Sequence, residues 1–145
     1  MFFYCIFYQG GVKTVNIGVL DDNPAILAFL STTLKMDGHT VTAHNSGASM
    51  LEAIFPTDSS SSQQGVPYDL IILDLLLPGT MTGVDVFFAI RKEFEFWQLP
   101  VIVVTAVSGP TLEQFRRILP DDVPLLRKPF APRTLRQLIN QLTEK

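Results

Sequence analysis

Asp21-Asp22, Asp74, Thr105 and Lys128 are the residues of this 145-residue chain whose types suit chemistry on a phosphoryl group. Each follows a short run rich in β-branched and aliphatic residues. Val15 to Leu20 leads into Asp21, Leu70 to Leu73 into Asp74, Val101 to Val104 into Thr105, and Leu125 to Arg127 into Lys128. Three carboxylates brought together repel one another and need a cation. A hard divalent ion such as Mg²⁺, which takes carboxylates, a backbone carbonyl and waters, meets that need. Such an ion also neutralises charge on a transferring phosphoryl group, while a lysine and a hydroxyl hold the remaining oxygens. An Asp carboxylate is itself a nucleophile able to form an acyl phosphate. Singly, each residue has a plainer reading: helix cap, turn former, strand-end hydroxyl, surface turn. Their chemical meaning depends on one edge of one fold collecting them.

The elements between them supply that edge. The chain alternates short β-rich runs with amphipathic helical runs, the pattern of a parallel α/β sheet. After the first strand, Asn23 is a candidate N-cap with Pro24 at the first helical position. Ile26, Phe29, Leu30 and Leu34 then recur at helical spacing, and Asp37-Gly38 stops the helix. A strand from His39 to Ala43 precedes a helix from about Gly47 to Phe55, which ends before Pro56. The third strand is apolar on both faces, as a central parallel strand covered by helices must be. A helix from about Gly83 follows, with Phe87, Ile90 and Phe94 on one stripe, and a later one carries Leu112, Phe115 and Leu119. The last helix has Leu135, Leu138, Ile139 and Leu142 at i, i+3, i+4 and i+7. The expected fold is a three-layer α/β/α doubly wound five-stranded parallel sheet. In such sheets ligands sit outside the carboxyl ends of the strands, where all four chemical groups would meet.

Composition sets the bounds. Hydrophobic residues make up 47% and charged residues 17%, which excludes the disordered class. A formal net charge of −3 gives no reason to expect direct nucleic-acid binding. Cys5 is the only cysteine, so an internal disulfide and a Cys-based zinc site are both excluded, in keeping with the expected cytoplasmic location. His39 and His44 are not at metal-binding helical spacing and read as packing or surface residues. The apolar opening run Met1 to Tyr8 falls far short of the roughly 20 residues that span a bilayer. It reads as a tail, or as a segment that packs on a partner or a second copy. The stretch Thr57 to Gly65, rich in Ser and Gln, reads as a surface loop within the domain. The expected division is an N-terminal tail over 1–13 and one domain over 14–145, with no output domain attached.

Four pieces, VLDDNP, YDLIILDLLLPG, VIVVTA and LLRKPF, stand in the order and close to the spacing of a known family. In them the chain resembles the receiver domain of two-component response regulators, the CheY-like superfamily, from about Val15 to the C-terminus. The resemblance implies the flavodoxin-like strand order 2-1-3-4-5. It implies Asp74 as phosphoacceptor, and Asp21, Asp22, Asp74 and the Leu76 backbone carbonyl as Mg²⁺ ligands. Thr105 resembles the switch hydroxyl, with Ala106 beside it at the phosphoryl-binding edge, and Lys128 resembles the lysine that pairs with a phosphoryl oxygen. Pro129 is expected to follow a cis peptide bond. The implied donor is a sensor histidine kinase or a histidine phosphotransfer protein, and the implied output is docking to a downstream protein target. The face made by the fourth helix, fifth strand and fifth helix is a candidate output and homodimer surface. Arg116, Arg117, Arg127, Arg133 and Arg136 are expected to cluster there against Glu113, Asp121 and Asp122.

The chain departs from the family pattern in several places. The loop before the third strand is long, and the turn Pro78 to Gly83 is one residue longer than the common form. Leu125 stands at the switch position where the family usually has an aromatic residue. Leu76 and Val107 stand where polar residues help to position a hydrolytic water, which implies slow self-dephosphorylation. The alternative function is an unphosphorylated receiver-fold docking module. An aspartate-nucleophile phosphatase of the haloacid-dehalogenase type would need an acid at Leu76, which cannot transfer protons. A flavodoxin-type cofactor site would have its phosphate repelled by Asp21-Asp22.

Overall fold

The computed structural model describes residues 13–58 and 65–144. The expectations for Met1 to Tyr8 and for the centre of the Ser-rich loop lie outside the described residues. The elements run β1 (Asn16–Leu20), α1 (Pro24–Met36), β2 (Thr40–His44), α2 (Gly47–Ile54), β3 (Leu70–Asp74), α3 (Gly83–Glu93), β4 (Val101–Thr105), α4 (Gly109–Ile118), β5 (Leu125–Arg127) and α5 (Pro132–Thr143). The strands form one parallel sheet in the order β2-β1-β3-β4-β5, as the resemblance implies.

Period-two alternation splits the strands between two apolar layers. Ile17, Val19, Leu70, Ile72, Ile102 and Val104 face one layer, where Leu30 and Leu34 of α1 meet Leu135 and Ile139 of α5. Leu20, Ile71, Leu73, Val101 and Val103 face the other, against Met50 of α2, and Val86, Phe87 and Ile90 of α3. Helices therefore cover both sides, and β3 and β4 are buried along their whole length. Each fully buried Leu or Ile contributes about 1.5–3 kcal/mol of transfer free energy.

Local signals place the helix starts. Asn23 caps α1 through its side chain, accepting from the Ala25 N–H, with Pro24 next. Thr82 and Asp85 form a reciprocal capping box at the start of α3. Two sequence expectations are corrected. Phe29 shares the helical spacing of Leu30 and Leu34 but is 46% exposed, because the buried stripe of α1 is narrower than its apolar stripe. The second strand lies one residue later than expected. The His39 N–H is still engaged by the Leu34 carbonyl in closing α1, and pairing with β1 begins only at Thr40.

Candidate functional site

Asp74 is the last residue of β3 and is buried. Its Oδ1 accepts the Leu76 N–H at 3.0 Å, and its Oδ2 accepts from Lys128 Nζ at 3.0 Å. Asp21 follows β1 and is more deeply buried; its Oδ1 accepts the Asn23 N–H at 2.9 Å and its Oδ2 accepts from Lys128 Nζ at 2.5 Å. Asp22 is exposed, yet one oxygen each from Asp21, Asp22 and Asp74 lie within 4.8 Å of one another. One ammonium thus stands between two buried carboxylates, with a third carboxylate at the mouth.

Burial pushes the Asp74 carboxyl above its ordinary value, against the pull of the Leu76 amide and of Lys128. For Lys128, burial works against the ammonium. Hydrogen bonds to Asp21 and Asp74, with their charges, outweigh it and leave the pKa above the ordinary lysine value. The donor set is the kind a hard divalent cation takes, and the charge count favours one. Three carboxylates face one lysine.

The other expected residues gather at the same edge. Thr105 ends β4 fully buried, and its Oγ1 accepts the Val107 N–H at 3.2 Å, which leaves the hydroxyl proton to donate elsewhere. Its carbonyl accepts the Lys128 N–H at 2.8 Å, so β4 holds the backbone that carries the lysine. The Lys128-Pro129 peptide bond is cis, as expected. Ala106 is exposed beside Thr105, and Leu76 is half exposed two residues beyond Asp74. Leu125 is half-buried in β5 and packs on the α2-α3 side of the core.

One expectation about the surface fails. Arg136 does not join the arginines of α4, β5 and α5; its Nε and a terminal nitrogen bond the Asp37 carboxylate at 3.0 and 3.1 Å. Asp37 is the C-cap of α1, so α5 turns Arg136 toward α1 instead. Sequence reading also missed Gly83. A Cβ there would run into the Asp74 carbonyl oxygen and the Leu75 Cα, so α3 can start this close to the acidic strand end only with glycine. A glycine directly after the Thr82 cap was the available signal. An apolar pocket of about 320 Å³ beside the site is lined by Ile26, Phe29, Lys128, Pro129 and Phe130. It was not foreseen either, since it joins α1 to the turn after β5.

A doubly wound parallel sheet with an acidic cluster and a lysine at its carboxyl edge defines a receiver-type signalling domain. The chain belongs to the response regulator receiver domain family, whose model matches residues 17–140. It is 33% identical over 102 residues to the transcriptional regulatory protein TcrA of Mycobacterium tuberculosis, covering 70% of this chain and 36% of that protein. It is 32% identical over 126 residues to the sensor histidine kinase GacS of Pseudomonas protegens, covering 86% of this chain and 13% of the kinase. The chain therefore spans only a minor part of these relatives' length. Among solved structures, the response regulator protein TrrA of Thermotoga maritima, in complex with Mg²⁺ and BeF, is similar at 27% identity and a TM-score of 0.68. That match covers 88% of this chain and 97% of TrrA. Among the described residues, no helix is long and apolar enough to cross a membrane.

Proposed function

We propose that this receiver domain accepts a phosphoryl group on Asp74 from a phosphohistidine of a sensor histidine kinase or a histidine phosphotransfer protein. The observation that carries the reading is the shared contact of Lys128 with Asp74 and Asp21. Asp74 supplies the carboxylate oxygen that attacks phosphorus, and the histidine nitrogen leaves. Lys128 then holds a phosphoryl oxygen where it now holds Asp74 Oδ2, and the Thr105 hydroxyl, with Ala106 beside it, meets another. Asp21, Asp22, Asp74 and the Leu76 carbonyl would hold Mg²⁺, which when bound neutralises charge on the transferring group. The complex of TrrA with Mg²⁺ and BeF supports this assignment.

The donor protein seats on the apolar pocket between α1 and the Pro129-Phe130 turn. That pocket shares Lys128 with the acidic site, so a donor held there stands next to Asp74. Output passes by docking to a downstream protein. The surface of α4, β5 and α5, with Arg116, Arg117, Arg127 and Arg133, is the proposed meeting place for a target or a second copy. Leu125 lacks the bulk to swing as an aromatic would, and the rearrangement there is correspondingly small.

The test is intact-protein mass spectrometry after treatment with acetyl phosphate and Mg²⁺. One added phosphoryl group on the wild type and none on Asp74→Asn is the expected result. No gain on the wild type would favour an unphosphorylated docking module, and an equal gain on the variant would move the acceptor elsewhere.

A further inference from the structure

Across the sheet from Lys128, a buried polar pair links the end of β2 to the segment just before β3. His44 is the last residue of β2, an edge strand, and Tyr68 lies just before β3. β1 runs between them, yet His44 Nε2 and the Tyr68 hydroxyl are 2.6 Å apart. The tyrosine ring crosses β1 at Gly18, where a Cβ would stand 2.8 and 2.9 Å from two of its ring carbons. Only a residue without a side chain leaves that path open. The other imidazole nitrogen, Nδ1, is 2.7 Å from Ser49 Oγ in the first turn of α2. With both ring nitrogens partnered, the His44 imidazole is fixed in rotation.

We propose that the Tyr68–His44 pair is a positioning strut for the acidic cluster, holding the His44 carbonyl beneath the Asp21 N–H. That carbonyl accepts the Asp21 N–H at 3.2 Å, one step beyond the last paired residues of the β1-β2 ladder. Among the described residues β2 has a strand neighbour on one side only, so its end has no second ladder there to steady it. The strut supplies that restraint from the segment leading into β3, whose far end carries Asp74. It thereby ties Asp21 and Asp74 to a common frame, independently of Lys128. An apolar pair would fill the same space, but only hydrogen bonds of defined direction fix an orientation.

The inference rests on the reading that Asp21 helps to hold a divalent cation. Tyr68→Phe keeps the ring over Gly18 and removes one oxygen; His44→Leu removes the other half. Mg²⁺ binding is measured by calorimetry, alongside thermal unfolding and amide exchange followed by NMR. Both variants should bind Mg²⁺ about fivefold more weakly, the scale of one lost hydrogen bond, and the Asp21 amide should exchange faster in each. His44→Gln, which still offers a polar partner to the Tyr68 hydroxyl, should stay within about twofold of wild type. Lower melting temperatures with Mg²⁺ affinity unchanged would overturn the proposal and leave a packing contact. The wild type also decides without any variant folding: an Asp21 amide that exchanges as fast as that of Asp22 would overturn the strut. Failure of the wild type to bind Mg²⁺ at all would instead overturn the cation reading of the cluster.

Discussion

Asp74 and Lys128 are 54 residues apart in the chain and 3.0 Å apart in space, and the same ammonium bonds Asp21. One cation is therefore divided between two buried carboxylates, with Asp22 adding a third at the mouth. Any group that draws Lys128 away from one partner leaves that partner short of positive charge. The site is balanced to exchange charges, not to store a permanent ion pair, and its stability should depend on which charges are present.

Asp74 is held above its ordinary value by burial, so its pKa in the folded chain exceeds that in the unfolded chain. Above both values the ionised carboxylate costs the fold, and the cost disappears as pH falls through the folded-state value. Asp74→Asn removes the buried charge and keeps one amide oxygen to accept from either the Leu76 N–H or Lys128, and it should melt higher than wild type near neutral pH. The gap should narrow on acidification. Melting curves across that range check it, and a variant that melts lower at neutral pH would contradict it.

Gly83 opens α3 against the end of β3, and its N–H donates to the Leu75 carbonyl at 3.1 Å. Gly83→Ala places a methyl group on the Asp74 and Leu75 backbone. The expected loss is about 2–3 kcal/mol of stability, together with poor phosphoryl acceptance because Asp74 itself is displaced. Urea unfolding and acetyl phosphate labelling would report both. An unchanged unfolding midpoint would show that the loop before α3 absorbs the methyl group at no cost.

Hydrolysis of an acyl phosphate on Asp74 needs a water in line with the phosphorus–oxygen bond. Leu76, 50% exposed and two residues after Asp74, and Val107, half-buried and two residues after Thr105, can orient no water through their apolar side chains. Slow loss of phosphate is expected. The Leu76→Asn, Val107→Glu double variant should lose it roughly tenfold faster, equivalent to about 1.4 kcal/mol of barrier. Decay is followed in buffer with Mg²⁺ and no phosphatase. Equal decay in both proteins would remove these side chains from the timing.

The Val15 N–H donates to His39 Nδ1 at 3.2 Å, so the buried ring serves as a neutral acceptor. Burial lowers its pKa against the opposing charge of Asp37. The folded value thus lies below the ordinary imidazole value of about 6.5, and the contribution to stability is complete above that pH. It is lost as pH falls from there through the folded value, because the unfolded chain takes up a proton first. His44, also lowered by burial, adds to the same slope. His39→Asn keeps an acceptor without the titration and should show a shallower fall in chemical-denaturation stability below pH 6.5. An identical slope would show that His39 does not contribute.

The sequence by itself determined the order of the elements, because alternation and helical spacing are local and parallel strands need helical crossovers. It also determined that Asp21, Asp22, Asp74, Thr105 and Lys128 end up at one edge, since every strand of a parallel sheet finishes on the same side. What it left open were meetings between segments. Phe29 and Leu30 look alike in α1, and only the width of the α1 contact exposes the first and buries the second. Arg136 could have faced either way around α5 until Asp37 at the end of α1 drew it. The tyrosine path over Gly18 and the close start of α3 at Gly83 were equally invisible. Periodicity tells which face a side chain takes, whereas its partner depends on how far and at what angle another element approaches. Those distances come only from packing the whole chain at once.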